Sequence, residues 1–175
     1  LKNNNANDPV TIADLEVNDL IIKRIRENYK DVNWGILSEE NVKIIPNSID
    51  KNKKWLWVLD PLDGTKDYIQ GTGNYAMHLA LNFEQKSYLG LVLIPEKNEL
   101  WISNGKNVWC ERRDGTEKVI NISGKKNLRE MTIVTSKNHR NEDLECLINK
   151  INFKEKLVMG SIGCKIASII RGDSD

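Results

Sequence analysis

Apolar residues recur with two different periods along this chain. Between residues 11 and 29, Val17, Ile21 and Ile25 stand four apart, and Leu20 and Ile22 widen the stripe. That spacing predicts an amphipathic helix. Thr11 and Asp14 fall at its N-cap and N3 positions, a variant of the capping box. Further along the period drops to two. Met77, Leu79, Leu81 and Phe83 share one face of a strand over residues 77–83, and short strands follow at 89–94, 99–102 and 108–112, separated by Gly, Asn and Pro. Such a meander predicts a mostly antiparallel sheet. Residues 34–37 form a short apolar run, and 46–54 a polar loop. Residues 55–59 read as a strand, with no room for a helix before Pro61, and 65–69 as a short helical turn. Beyond residue 121 the order becomes strand (131–135), helix (142–151), strand (156–159) and helix (164–170), which predicts a second α/β unit. The boundary is expected at Ser123-Gly124-Lys125-Lys126, giving units 1–122 and 123–175.

The polar residues add chemistry at one point above all. The strand at 55–59 runs into Asp60-Pro61-Leu62-Asp63-Gly64-Thr65. Two carboxylates about 4 Å apart repel by roughly 4 kcal/mol at an effective dielectric near 20. Protonation or a bound cation relieves this, and oxygen-only donors suit a hard ion such as Mg²⁺. The Leu62 carbonyl can add a neutral oxygen. Gly64 lets the backbone approach a ligand, and amides at the following helix start favour a phosphate. The same letters also fit a turn followed by an N-cap. An EF-hand fails, because the third and twelfth loop positions are Leu62 and Gly71. A P-loop fails because the upstream glycine is missing and Thr65 and Lys66 are reversed. Glu39-Glu40 reads locally as a solvated pair or a first helical turn, and Asp14 as a capping partner.

Composition narrows the partners. The 175 residues carry 26 Lys and Arg against 25 Asp and Glu. A net charge of +1 gives no electrostatic reason to expect a nucleic-acid polymer or an anionic membrane. No apolar run approaches the length of a membrane span, and the polar, Asn-rich residues 1–8 do not resemble a signal peptide. The three cysteines form no C-x-x-C pair, which predicts reduced thiols in a cytoplasmic setting. A start at Leu1 and an end just after an apolar helix predict a fragment of a longer protein; a mature domain with trimmed ends is the alternative. His78 is expected to be a hydrogen-bonded sheet histidine. His139 is expected at a helix start without a functional role. Trp55, Trp57, Trp101 and Trp109 are expected in the core. Cys164 has no neighbouring base and is a poor nucleophile candidate.

Taken in order, residues 9–14, Leu37-Ser38-Glu39-Glu40, residues 57–65 and Met159-Gly160-Ser161-Ile162-Gly163-Cys164-Lys165 resemble the inositol monophosphatase family of Mg²⁺-dependent phosphatases. The likeness runs from about residue 8 to 175. The continuation Lys66-Asp67-Tyr68, with residues 133–140, is most similar to the 3′(2′),5′-bisphosphate nucleotidase branch. The resemblance implies an α/β/α/β/α layered sandwich, here truncated at both ends. It implies two or three Mg²⁺ ions held by Glu39, Asp60, the Leu62 carbonyl and Asp63. It implies a nucleophilic water positioned by Asp14, Glu39 and Thr65, and a phosphate cradled by Asp63 and the amides of Gly64 and Thr65. Gly163, Cys164 and Lys165 fall where the family contacts the rest of its substrate, with Lys165 a candidate for a second phosphate. The implied substrate is a small phosphate ester, a nucleotide bisphosphate before an inositol or fructose phosphate; a homodimer is left open. The family's later W-D-x-A-A-type motif, whose aspartate completes the second metal site, does not occur in these 175 residues. A non-catalytic metal- and nucleotide-binding module is therefore the alternative from another class.

Overall fold

The computed structural model describes residues 10–44, 53–116, 120, 122–137 and 141–175. Helix α1 (Ile12–Asn28) begins at the predicted capping box: Thr11 caps the helix, and its backbone N–H and hydroxyl both donate to the Asp14 carboxylate, at 2.7 and 2.6 Å. Strand β1 (Gly35–Ser38) leads directly into α2 (Glu39–Ile44). Strand β2 (Trp55–Asp63) is followed by the single helical turn α3 (Thr65–Ile69). Then come β3 (Ala76–Phe83), β4 (Lys86–Ile94), β5 (Glu99–Ser103) and β6 (Val108–Glu111). These six strands form one sheet in chain order, with β1 parallel to β2 and every later pair antiparallel. The predicted meander is thus present. Most of the polar loop expected over 46–54, and His139 with its expected helix start, lie outside the described residues.

One face of the sheet takes α1. Ile22 and Ile25 pack on Trp57, Leu59, Leu79 and Leu81, the last two from the alternating set read from the sequence, with Met77 of that set partly buried beside them. The other face takes α5 (Ile162–Arg171), which ends a second unit built from β7 (Thr132–Ser136), α4 (Glu142–Ile151) and β8 (Glu155–Met159). Strands β7 and β8 pair in parallel, as a β-α-β order requires. An apolar cluster joins the large sheet to β8 and α5: Ala76, Ile94, Trp101 and Cys110 meet Met159, Cys164 and Ala167. Of the four tryptophans expected in the core, Trp57 and Trp101 are buried, whereas Trp55 and Trp109 are half-buried.

One boundary differs from the sequence reading, and it shapes the site. Strand β2 does not end at Leu59 but continues through Pro61 to Asp63. Asp60 pairs with His78 and Asp63 with Ala76, so three steps along β2 match two along β3. The extra residue is a bulge, where a proline lacking an N–H is tolerated. Residues three apart in a regular strand point to opposite faces. Here the bulge sets Asp60 and Asp63 opposite two residues that share one face of β3.

Candidate active site

The bulge delivers Asp60, Leu62 and Asp63 at the end of β2, beside the start of α2 and the first turn of α5. The Asp60 carboxylate accepts from the Leu62 N–H at 3.1 Å. Burial, then the carboxylates of Glu39 and Asp63, push the Asp60 carboxyl up to about 7, with a hydrogen bond to Glu39 acting in the same direction. Glu39 and Asp60 are therefore neighbours, as the sequence reading required. The adjacent Glu40 is buried rather than solvated.

Asp14 and Thr65 are also brought in. Thr65 Oγ1 donates to the Leu62 carbonyl at 3.0 Å and lies 3.4 Å from Asp14 Oδ1. Asp14 thus fills its capping role through Oδ2 and faces Thr65 through Oδ1. Gly64 adopts φ +91°, and a Cβ there would meet the Asn74 carbonyl at 2.9 Å and Ser161 at 3.3 Å. Only glycine joins the strand end to α3 this close to the α5 turn.

Asp63 is placed differently from Asp60. Its Oδ2 accepts from Ser161 Oγ (2.7 Å), the Ile162 N–H (2.5 Å) and the Gly163 N–H (3.3 Å). Those donors are unpaired groups at a helix start, and they draw a carboxylate strongly. Among the described residues, no three His, Cys, Asp or Glu side chains converge closely enough to hold a metal ion. The donor set still suits a hard divalent cation. It offers carboxylate and carbonyl oxygens, and burial and neighbours of like charge disfavour the ionised form of Asp60, a strain that a cation relieves.

The three substrate-contact candidates on α5 separate. The Gly163 N–H points to Asp63, and a Cβ at this position would collide with His78 Nε2 and approach Val92 Cγ1 to 2.8 Å. Gly163→Ala is expected to destabilise the fold by about 1–3 kcal/mol; an unchanged urea midpoint would refute this. Cys164 is turned inward. It is 1 % exposed, its Sγ faces the Tyr75 carbonyl at 3.5 Å, and its N–H is taken by Ser161 Oγ. Burial pushes its thiol up, in keeping with its reading as a poor nucleophile. Lys165 folds back, with Nζ 3.2 Å from the Gly160 carbonyl.

Two residues outside the predicted set meet Asp63. Ser161 caps α5 and donates to Asp63 across 98 positions of sequence. Its place just ahead of an apolar helix was the available signal. His78 is a correction. It is not a satisfied sheet histidine, because its buried Nε2 has no hydrogen-bond partner although Asp63 Oδ2 lies 3.3 Å away. Burial lowers the His78 pKa, against the pull of Asp63 and Glu39. His78, Glu39, Asp60 and Gly163 line one end of a cavity of about 880 Å³ that is otherwise mostly apolar.

Fold and site together define a layered α/β protein whose oxygen-rich site sits at the end of a bulged strand. The chain belongs to the inositol monophosphatase family, whose model matches residues 1–175. It is 29% identical over 157 residues to the 3′(2′),5′-bisphosphate nucleotidase CysQ of Escherichia coli K12, covering 89% of this chain and 60% of that protein. It is 28% identical over 163 residues to the Nus factor SuhB of Pseudomonas aeruginosa, covering 93% of this chain and 57% of that protein. The crystal structure of inositol monophosphatase II from Staphylococcus aureus superposes with a TM-score of 0.74 at 25% identity, covering 97% of this chain and 61% of that one. The chain thus spans about three fifths of the length of these relatives. Among the described residues, no helix is long and apolar enough to cross a membrane.

Proposed function

We propose that this chain carries the metal- and phosphate-binding part of a Mg²⁺-dependent phosphomonoesterase. In this reading Glu39, Asp60, the Leu62 carbonyl and Asp63 hold two or three Mg²⁺ ions. When bound, the ions neutralise phosphate charge and polarise the attacking water. The remaining roles belong to the chain's own groups. Thr65 donates its hydroxyl hydrogen bond to the Leu62 carbonyl, so its oxygen lone pairs can accept from the O–H of a water. Asp14, opposite Thr65, takes up the proton as that water attacks phosphorus and the P–O ester bond breaks, the departing oxygen taking a proton from solvent, and Glu39 shares in orienting the water. The amides of Gly64 and Thr65 receive phosphate oxygens. The reading needs no phosphoenzyme, and the buried Cys164 thiol offers no nucleophile. The observation that carries it is the linkage of Asp14 to Thr65, of Thr65 to the Leu62 carbonyl, and of Leu62 to Asp60, all beside Glu39. The division into units 1–122 and 123–175, and a cytoplasmic setting with reduced thiols, belong to the same proposal.

The favoured substrate is adenosine 3′,5′-bisphosphate, hydrolysed to AMP and phosphate. CysQ, among the relatives found, is a bisphosphate nucleotidase by name, and the Lys66-Asp67-Tyr68 continuation favours that branch. An inositol phosphate is the nearest rival. Staphylococcal inositol monophosphatase II has been crystallised with 2′-AMP and with inositol monophosphate, at 25% and 26% identity to this chain. The test is phosphate release from adenosine 3′,5′-bisphosphate, inositol 1-phosphate and fructose 1,6-bisphosphate, using this chain and any longer translation product that contains it. Turnover is expected to require Mg²⁺ and to favour the adenosine bisphosphate. Undiminished release in EDTA would sink the enzyme reading.

One observation favours the alternative of a non-catalytic metal- and nucleotide-binding module: Asp63 is committed to α5 rather than to Glu39 and Asp60. Saturable Mg²⁺-dependent nucleotide binding without turnover in every form of the protein would select it.

A further inference from the structure

Three donors from α5 converge on one oxygen of Asp63, and a fourth group closes on the same atom from β3. His78 stands opposite Asp60 in the β2–β3 register. Its Nε2 lies 3.3 Å from Asp63 Oδ2. That nitrogen is buried, and no hydrogen bond satisfies it. Gly163 lies against the ring so closely that a Cβ would strike Nε2. The imidazole is therefore held between the helix and the carboxylate.

We propose that His78 is a positioning residue for Asp63, its Nε2–H set close against Oδ2 without the alignment of a hydrogen bond, so that Oδ1 is the oxygen offered to a cation. The proposal rests on the role of Asp63 in the reading above. Heavy-atom positions do not reveal which imidazole nitrogen carries the proton. The surroundings decide it. A bare Nε2 would set its lone pair against a carboxylate oxygen in a buried space, whereas an N–H there attracts it. Ser161 Oγ, the Ile162 and Gly163 amides and His78 then all act on Oδ2. Among the described residues no hydrogen bond reaches Oδ1. One carboxylate thus divides its work: Oδ2 fixes it to α5 and β3, and Oδ1 serves the site. Partners of this kind, which hold a ligating carboxylate in place, commonly change metal affinity by about 10–100-fold when removed.

The chain has two histidines, so His139→Gln leaves His78 as the single imidazole signal. Long-range ¹H–¹⁵N NMR of that variant at about pH 8, where imidazole is neutral, is expected to show the proton on Nε2. Asp63→Asn in the same background should shift the Nε2 resonance. A proton on Nδ1 would overturn the proposal. Mn²⁺ titration followed by EPR supplies the second arm. His78→Leu is expected to weaken binding about tenfold, and His78→Gln, which keeps a donor, to restore most of it. Equal affinity in all three forms would overturn the positioning role. If no form binds Mn²⁺, the cation reading of the site fails separately, and the tautomer still decides the contact.

Discussion

Replacing Arg171 by Met is expected to destabilise the protein by about 3–5 kcal/mol, because it leaves a carboxylate buried without its principal partner. Arg171 Nη1 lies 2.7 Å from Glu99 Oε2, and both side chains are 2 % exposed. Glu99 also accepts from Trp101 Nε1 at 3.0 Å, and Arg112 approaches it at 3.8 Å. The second face of Arg171 is held by Asp173, whose Oδ2 is 2.7 Å from Nε. Arg171 ends α5 and Glu99 begins β5, so the pair joins the second α/β unit to the large sheet beside the shared apolar cluster. Arg112 is too distant to replace a direct hydrogen bond. Urea unfolding of Arg171→Met measures the loss. Adding Glu99→Gln removes the buried charge that Arg171 faces and should recover a large part of it, which a double-mutant cycle would show as strong coupling. A loss below about 1 kcal/mol, typical of an exposed pair, would show that solvent reaches the contact.

That pair also marks what a single sequence conceals. Helix α1 was legible because its signals are local: the capping box and the apolar stripe lie within seventeen residues. The strands from β3 onward were legible through alternation and turn residues. The end of β2 was not, since Pro61 argues for a stop, and only the pairing of β3 with both Asp60 and Asp63 carries the strand through a bulge. Asp14, Glu39, Asp60 and Thr65 could be grouped because their order along the chain resembles a known family. Their neighbours Ser161 and His78 could not. A serine before a helix and a histidine in a strand each have an ordinary local explanation, and their meeting at Asp63 is made by the tertiary fold. Cys164 and Lys165 show the converse. Their place in a motif gave no warning that one side chain is buried and the other is bonded to its own helix start.

Asp60→Asn should have opposite effects with and without a cation, and this separates the site's chemistry from its packing. In EDTA the folded chain raises the Asp60 carboxyl from its ordinary 3.8 to about 7, first by burial and then by Glu39 and Asp63. Between about pH 4 and pH 7 the folded state therefore keeps a proton that the unfolded chain has released. Since stability falls with rising pH wherever the folded state binds more protons, the metal-free protein should lose stability across that window and level off above it. The displacement corresponds to at most about 4 kcal/mol, and solvent reaching the partly buried carboxyl screens this to roughly 2 kcal/mol. Asn carries no charge to bury and does not titrate, so the variant should be more stable than wild type above pH 7 in EDTA, with the Asp60 contribution to the slope gone. Mg²⁺ should reverse the ranking. A cation bound only by the folded form stabilises it by about 2.7 kcal/mol at a hundredfold excess over Kd. Asp60→Asn removes a donor and the charge that drew the ion, so this gain should largely vanish, together with the Mg²⁺-dependent phosphate release proposed above. Thermal unfolding at pH 8, with EDTA and with millimolar Mg²⁺, reads both effects in one experiment. A variant less stable than wild type in EDTA would mean that Asp60 is held by favourable contacts rather than strained. A variant that keeps the full Mg²⁺ shift would place the ion elsewhere.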